Sequence, residues 1–336
     1  MAEWLFEAGT GEDRAALIEG GEIVEMLVDR DDGRPRAGAV LEAKLLRRLP
    51  NSNRSVLALL AHDGAEAVGA MPSRIAEGER LPVTVVREAI AEPGNYKAPL
   101  VRPAEPGQLM RDAPSLRDRL GESGAPVIEI LPHQADRLEE LGWSERLAEA
   151  ESGLIPFDGG LLRLSLTPAM CLFDVDGTLP PGELTLAGAA AAARTIRLFD
   201  IGGSIGIDLP LPNAAGKALR QGAVERIDRI LPPPFERTAV NGFGFVQIVR
   251  RRIRPSLPEL LQSDPVMAAA MALLRKAERA GGRGAITLVA APSVIRRISP
   301  VPKWQEELAR RRGAPVHLSE CTGAAISESH VQTEYP

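Results

Sequence analysis

The chain is poor in what many site chemistries require. Two cysteines, Cys171 and Cys321, stand among 336 residues with no CxxC, which excludes a cysteine-rich zinc site and suits a reducing cytoplasm. Aromatic residues make up only 4%, which matters because single-stranded nucleic acid is usually gripped by stacking. Positive charge is not in excess: the net charge is −5, so any binding of nucleic acid must come from local patches. No secretory signal opens the chain, and no apolar run approaches the ~18 residues of a membrane span. The alanine-rich piece at 187–193 is weakly hydrophobic and is followed by Arg194 and Arg197. Internal repeats and low-complexity tracts are absent, and the four histidines (His62, His133, His317, His330) are scattered among unlike segments, so none is assigned a role.

What is present is enough for real cores: 44% of the residues are hydrophobic and 25% charged. At the usual ~100–200 residues per domain, two or three domains are expected, in a soluble, cytoplasmic chain. The organising stretch runs from Leu172 to Pro210. It reads as an apolar strand ending in Asp174 and Asp176, an alanine-rich helix, a Gly-Gly turn, and a second strand ending in Asp208. A crossover helix returns the second strand beside the first, which would bring Asp174 and Asp208 together at one sheet edge. Adjacent carboxylates repel and call for a cation or a shared proton, and oxygen ligands suit magnesium or manganese. The same residues also suit caps of the following turn or helix, and an Asx-turn at Asp176-Gly177 is as good a reading as a metal contact.

Around that stretch, residues 3–29 read as strands, and 38–101 as several short strands separated by Asn-Ser-Asn, Asp-Gly and Glu-Gly-Glu turns, the pattern of a small barrel. The Pro/Gly-rich piece 91–108 reads as a connector. Residues 110–150 are mostly helical, with Asp112 as an N-cap and a short strand at 127–131. A helix is expected over 214–230, a strand in GFGFVQIVRRR, and a helix from Leu257 to about Ala280. A small α/β unit closes the chain.

Two resemblances bear on function. LFDVDGTL resembles the first motif of haloacid-dehalogenase-like phosphatases, with Asp174 as nucleophile and Asp176 as acid/base. That reading also needs a strand-end Ser/Thr, a lysine and a later acidic pair. Ser204 precedes its strand, Lys217 is available, and no Gly-Asp or Asp-Asp pair follows.

The second resemblance covers nearly the whole chain and is to the ribonuclease E/G family. FDVDG and RLFDIGGSIGIDLP resemble the family's Asp-x-Asn strand, Leu-Gly-Gly turn and Ile-Asp strand. GFGFVQIVRRRIRPSL at 242–257, RAALIEGGEIVEM near the start, and AITLVAAPSVIRRIS with GAPVHLSECTGAAISESHVQTE at the end resemble further family segments in the same order. The resemblance implies an α+β, multidomain fold. By that resemblance residues 1–37 and 104–165 would form a split RNase H-like unit, and 38–103 an inserted oligonucleotide-binding (OB-type) barrel. Residues 166–260 would form a DNase I-like catalytic region and 261–336 a small C-terminal domain. It implies metal-dependent hydrolysis of single-stranded RNA, with Asp174 and Asp208 binding Mg2+ (or Mn2+) and Asp176 in the place of an asparagine that steadies the metal or water. Arg250, Arg252 and Arg254 would contact phosphates, with Lys97 in the barrel loop. The chain departs from the family at Asp176, Phe199, Pro168, Leu60 and Ala70. It is also too short for the region that senses a 5′-monophosphate and lacks the cysteines of a zinc-linked dimer. The two alternatives are a catalytically weakened RNA-binding relative and the phosphatase.

Overall fold

A computed structural model describes residues 2–92, 95–212 and 216–335. The protein is mixed α+β, and its backbone divides into two compact units: residues 1–32, 120–147 and 260–336, and residues 33–119 and 148–259.

In the first unit, Glu3–Glu7, Glu12–Glu19 and Glu22–Arg30 form an antiparallel meander, and Val127–Glu129 adds to Glu3–Glu7 in parallel. A second, three-stranded sheet centres on Arg283–Ala290, flanked by Val316–Glu320 and His330–Tyr335. Its helices Pro265–Arg279, Pro292–Ile298 and Pro302–Arg312 each begin with proline, which lacks the N–H that would go unpaired there anyway. The helix expected from Leu257 to Ala280 is two, Leu257–Ser263 and Pro265–Arg279. Asp264 breaks it, its carboxylate accepting from the Met267 amide at 3.0 Å as an N-cap.

The second unit holds a closed five-stranded barrel and a six-stranded sheet. The barrel strands are Val40–Arg48, Arg54–Leu59, Ala65–Ala70, Arg80–Arg87 and Leu100–Pro103. Leu41, Ala43, Leu45, Leu57, Leu59, Val83 and Val85 alternate inward to fill it. Closure is made by the parallel pairing of Leu100–Pro103 with Ala65–Ala70. Gly69 permits it, since a Cβ there would stand 2.2 Å from the Val101 carbonyl. The piece read as a connector therefore contains the closing strand and, before it, a small hairpin of Ile90–Glu92 and Asn95–Lys97. Four residues flanked by Pro99 and ending in Pro103 carry no periodic signal, because their partners are distant in sequence.

Two local expectations change. The helix Leu116–Gly121 is capped by Ser115, not Asp112: Asp118 N–H donates to Ser115 Oγ at 3.2 Å and Ser115 N–H to the Asp118 carboxylate at 3.0 Å. The helix expected over 214–230 is Lys217–Ile230, residues 214 and 215 lying outside the described residues. No helix among the described residues is long and apolar enough to cross a membrane.

Candidate functional site

The six-stranded sheet runs Leu154–Phe157, Gly160–Leu166, Cys171–Gly177, Gly203–Asp208, Phe245–Arg250, Phe235–Arg237 across its width. Cys171–Gly177 and Gly203–Asp208 are parallel neighbours joined by the helix Pro181–Leu198. That helix covers one face, where Phe173, Val175, Ile205 and Ile207 are buried. Gly188 allows the close approach: a Cβ would lie 2.4 Å from Val175 Cγ1.

The opposite face carries the acidic residues. Asp174 and Asp208 are direct Cα partners, so their side chains leave the same face from strands ~4.8 Å apart. Both are exposed, as is Asp176 two residues on. Asp176 accepts from Arg163 Nε at 2.9 Å, and Arg163 is also the Cα partner of Asp174 on its other side. Along the face the order is thus cation, carboxylate, carboxylate. Next to Asp208 lies Phe245, whose ring occupies the space over Gly206, 2.4 Å from where a Cβ would be.

The turn before Phe245 completes the rim. Asn241 Oδ1 accepts from the amides of Phe243 at 2.9 Å and Phe245 at 3.1 Å, and Leu209 N–H donates to the Gly244 carbonyl at 3.1 Å. This fixed turn holds Phe243 92% exposed two residues from the partner of Asp208. Sequence reasoning passed over Phe243. Its signal was an aromatic between two glycines where the fold has no use for one in a core. The helix at the same rim is tied to the strand exit by Thr185, whose hydroxyl donates toward the carbonyls of Pro181 and Pro210.

The basic residues are not brought to this face. Arg250 points to the helix side, donating to the Ile201 carbonyl at 2.8 Å with Asp200 at 3.8 Å. Arg252 spans Glu92, at 3.0 Å, and Glu259. Arg254 pairs with Glu88 at 3.2 Å and Lys97 with Glu92 at 2.5 Å. Near Lys97, Tyr96 is 57% exposed.

Among the described residues no three of His, Cys, Asp and Glu are grouped as a metal-ligand set. The two in-register carboxylates are nevertheless hard oxygen donors of the kind magnesium accepts, since that ion commonly takes one or two carboxylates and keeps water. Burial first, then Glu259, pushes the Cys171 pKa up to about 12, which disfavours a thiolate there. Compared with known proteins, the chain matches no protein-family model and no curated relative.

Proposed function

We propose that the protein is a magnesium-dependent endoribonuclease acting on single-stranded RNA, a short member of the ribonuclease E/G family. The observation that carries it is the alignment of Asp174 with Asp208 on an exposed sheet face, from positions 34 residues apart. Support comes also from the closed barrel, which in this reading is of the OB type, with its hairpin presenting Tyr96 and Lys97. The four-stranded sheet of residues 3–30 and 127–129 then belongs to the RNase H-like unit, and the strands of the six-stranded sheet from Cys171 onward to the DNase I-like region. A cytoplasmic protein without a zinc-linked dimer follows from the same reading.

In that function Asp174 and Asp208 hold the divalent cation, and Asp176, fixed by Arg163, orients what approaches them. When bound, the cation lowers the pKa of a water and offsets charge on the phosphate. Phe243 supplies a stacking surface for a base beside the scissile bond, in a chain with few aromatics to spend.

A second reading has its own observation: Phe199, which stands where the family's motif has an arginine, is fully buried and offers no phosphate contact beside the acidic pair, which leaves a protein that binds RNA without cutting it. One assay offers a fluorescent single-stranded RNA and a small phosphomonoester, with Mg2+, Mn2+ or EDTA. The nuclease reading expects EDTA-sensitive RNA cleavage that falls about 100-fold or more in Asp174→Asn and Asp208→Asn, with unchanged circular dichroism. Cleavage equal to wild type in both variants overturns it. RNA retardation without cleavage selects the binding protein, and turnover of the phosphomonoester alone selects the phosphatase.

A further inference from the structure

A cavity of the second unit opens at the other ends of the two central strands. It encloses about 260 Å3 and is bordered by Cys171 and Gly203, where those strands begin. Asp174 and Asp208 lie three and five residues downstream, ~10 and ~17 Å away at ~3.3 Å per residue, so this is a separate place.

Three cations, Arg87, Lys97 and Arg252, face two carboxylates, Glu92 and Glu259. Glu259 is occupied by Arg252 and by the Ser256 amide and hydroxyl at 2.7 and 2.9 Å. Burial raises Glu92, but the hydrogen bonds from Lys97 and Arg252 outweigh it and hold its pKa below the ordinary value. Lys97 and Arg252 share Glu92, whose charge also reaches Arg87, and Arg252 holds Glu259. Arg87 is left with a single hydrogen bond, from Nη2 to the Ala98 carbonyl at 2.7 Å, and among the described residues no carboxylate is within salt-bridge distance. Burial and then the Arg252 charge lower its pKa, with the Glu92 charge opposing them only in part.

A guanidinium that lines a polar concavity with only a carbonyl as its hydrogen-bond partner calls for an anion there. Guanidinium donors match phosphate oxygens in number and geometry. Leu166, Ala169 and Met170 supply an apolar wall beside them, so the cavity is cationic on one side and apolar on the other. We propose that it binds a mononucleotide, with the phosphate on Arg87 and the base or ribose against the Leu166–Met170 wall. This stands independently of the nuclease reading.

The test uses the intact protein in EDTA, with AMP, inorganic phosphate and a short oligoribonucleotide as probes, each at ionic strength matched with NaCl. Binding is read by calorimetry and by 31P line width. AMP is expected to bind wild type, at least 10-fold more weakly to Arg87→Ala, less weakened in Arg87→Lys, and equally to Asp208→Asn. The proposal is overturned if AMP fails to bind wild type at millimolar concentration, if Arg87→Ala binds equally, or if only the oligonucleotide binds. Loss in Asp208→Asn with retention in Arg87→Ala also overturns it. Should Arg87→Ala not fold, Lys97→Met replaces it: release of Glu92 onto Arg87 is expected to weaken AMP binding, and unchanged affinity counts against the site.

Discussion

Arg14 shows how strongly one side chain constrains the first unit. It is 1% exposed, lies over the Trp143 ring at 5.3 Å, and pairs with Glu7 at 2.6 Å and Asp136 at 2.7 Å. Arg279 bridges the same two carboxylates, at 2.9 and 3.1 Å. Removing one partner of such a buried network strands the others, so Arg14→Ala is expected to cost about 3–5 kcal/mol, read as a lower urea midpoint. Burial alone would raise Asp136, but Arg14, the Glu139 amide and Arg279 outweigh it and hold its pKa below the ordinary value. A depressed carboxyl contributes stability above its unfolded pKa of ~3.9 that is lost as pH falls through the lower folded value. Denaturation midpoints should therefore fall below about pH 4 in wild type, and this acid limb should flatten in Asp136→Asn. At the same scale Asp174, Asp176 and Asp208 were legible as strand-end carboxylates. The engagements of Arg250, Arg252 and Arg254 were not, because their partners Asp200, Glu92, Glu259 and Glu88 carry no shared pattern with them.

Among the elements, the helix Pro181–Leu198 decides how the acidic strands are seated. Its small residues, Gly188 through Ala193, are buried against the sheet and its neighbours, which lets the crossover lie close. Gly188→Val is expected to push into Val175 and cost about 1–3 kcal/mol. Gly182→Ala in the same helix meets only Leu219 Cδ2 at 3.9 Å and should be neutral or stabilising by up to about 1 kcal/mol. Equal effects from the two substitutions would show that propensity, not packing, governs the helix. This strand–helix–strand was readable from one stretch because its signals are local: an apolar run, alanines, Gly202-Gly203, a second apolar run. The barrel was half readable, its antiparallel hairpins carrying turn signals while its closing strand depended on Gly69 and a pairing across the chain.

For the molecule as a whole, charge sets a limit on how RNA would be held under the proposed function. With a net charge of −5 and the strand-end arginines engaged internally, few phosphates can be neutralised. Each phosphate contact with a single strand contributes a slope of ~−0.7 to log K against log salt. Two or three contacts would give about −1.4 to −2.1, measurable by fluorescence anisotropy between 50 and 200 mM salt, roughly the range over which such slopes are read. A slope near −5 would mean that the paired arginines are released to the RNA, and the accounting of charges above would fail.

By itself the sequence determined the α+β character, the small barrel and the acid-tipped parallel strands, since all three arise from alternation, turn residues and a crossover rule that act over short distances. Tertiary structure alone decided which cations are already matched, which strand closes the barrel and where a cavity remains. Ion pairs and cavities depend on side chains meeting from segments far apart in the chain, and the order of residues along the backbone does not encode that proximity.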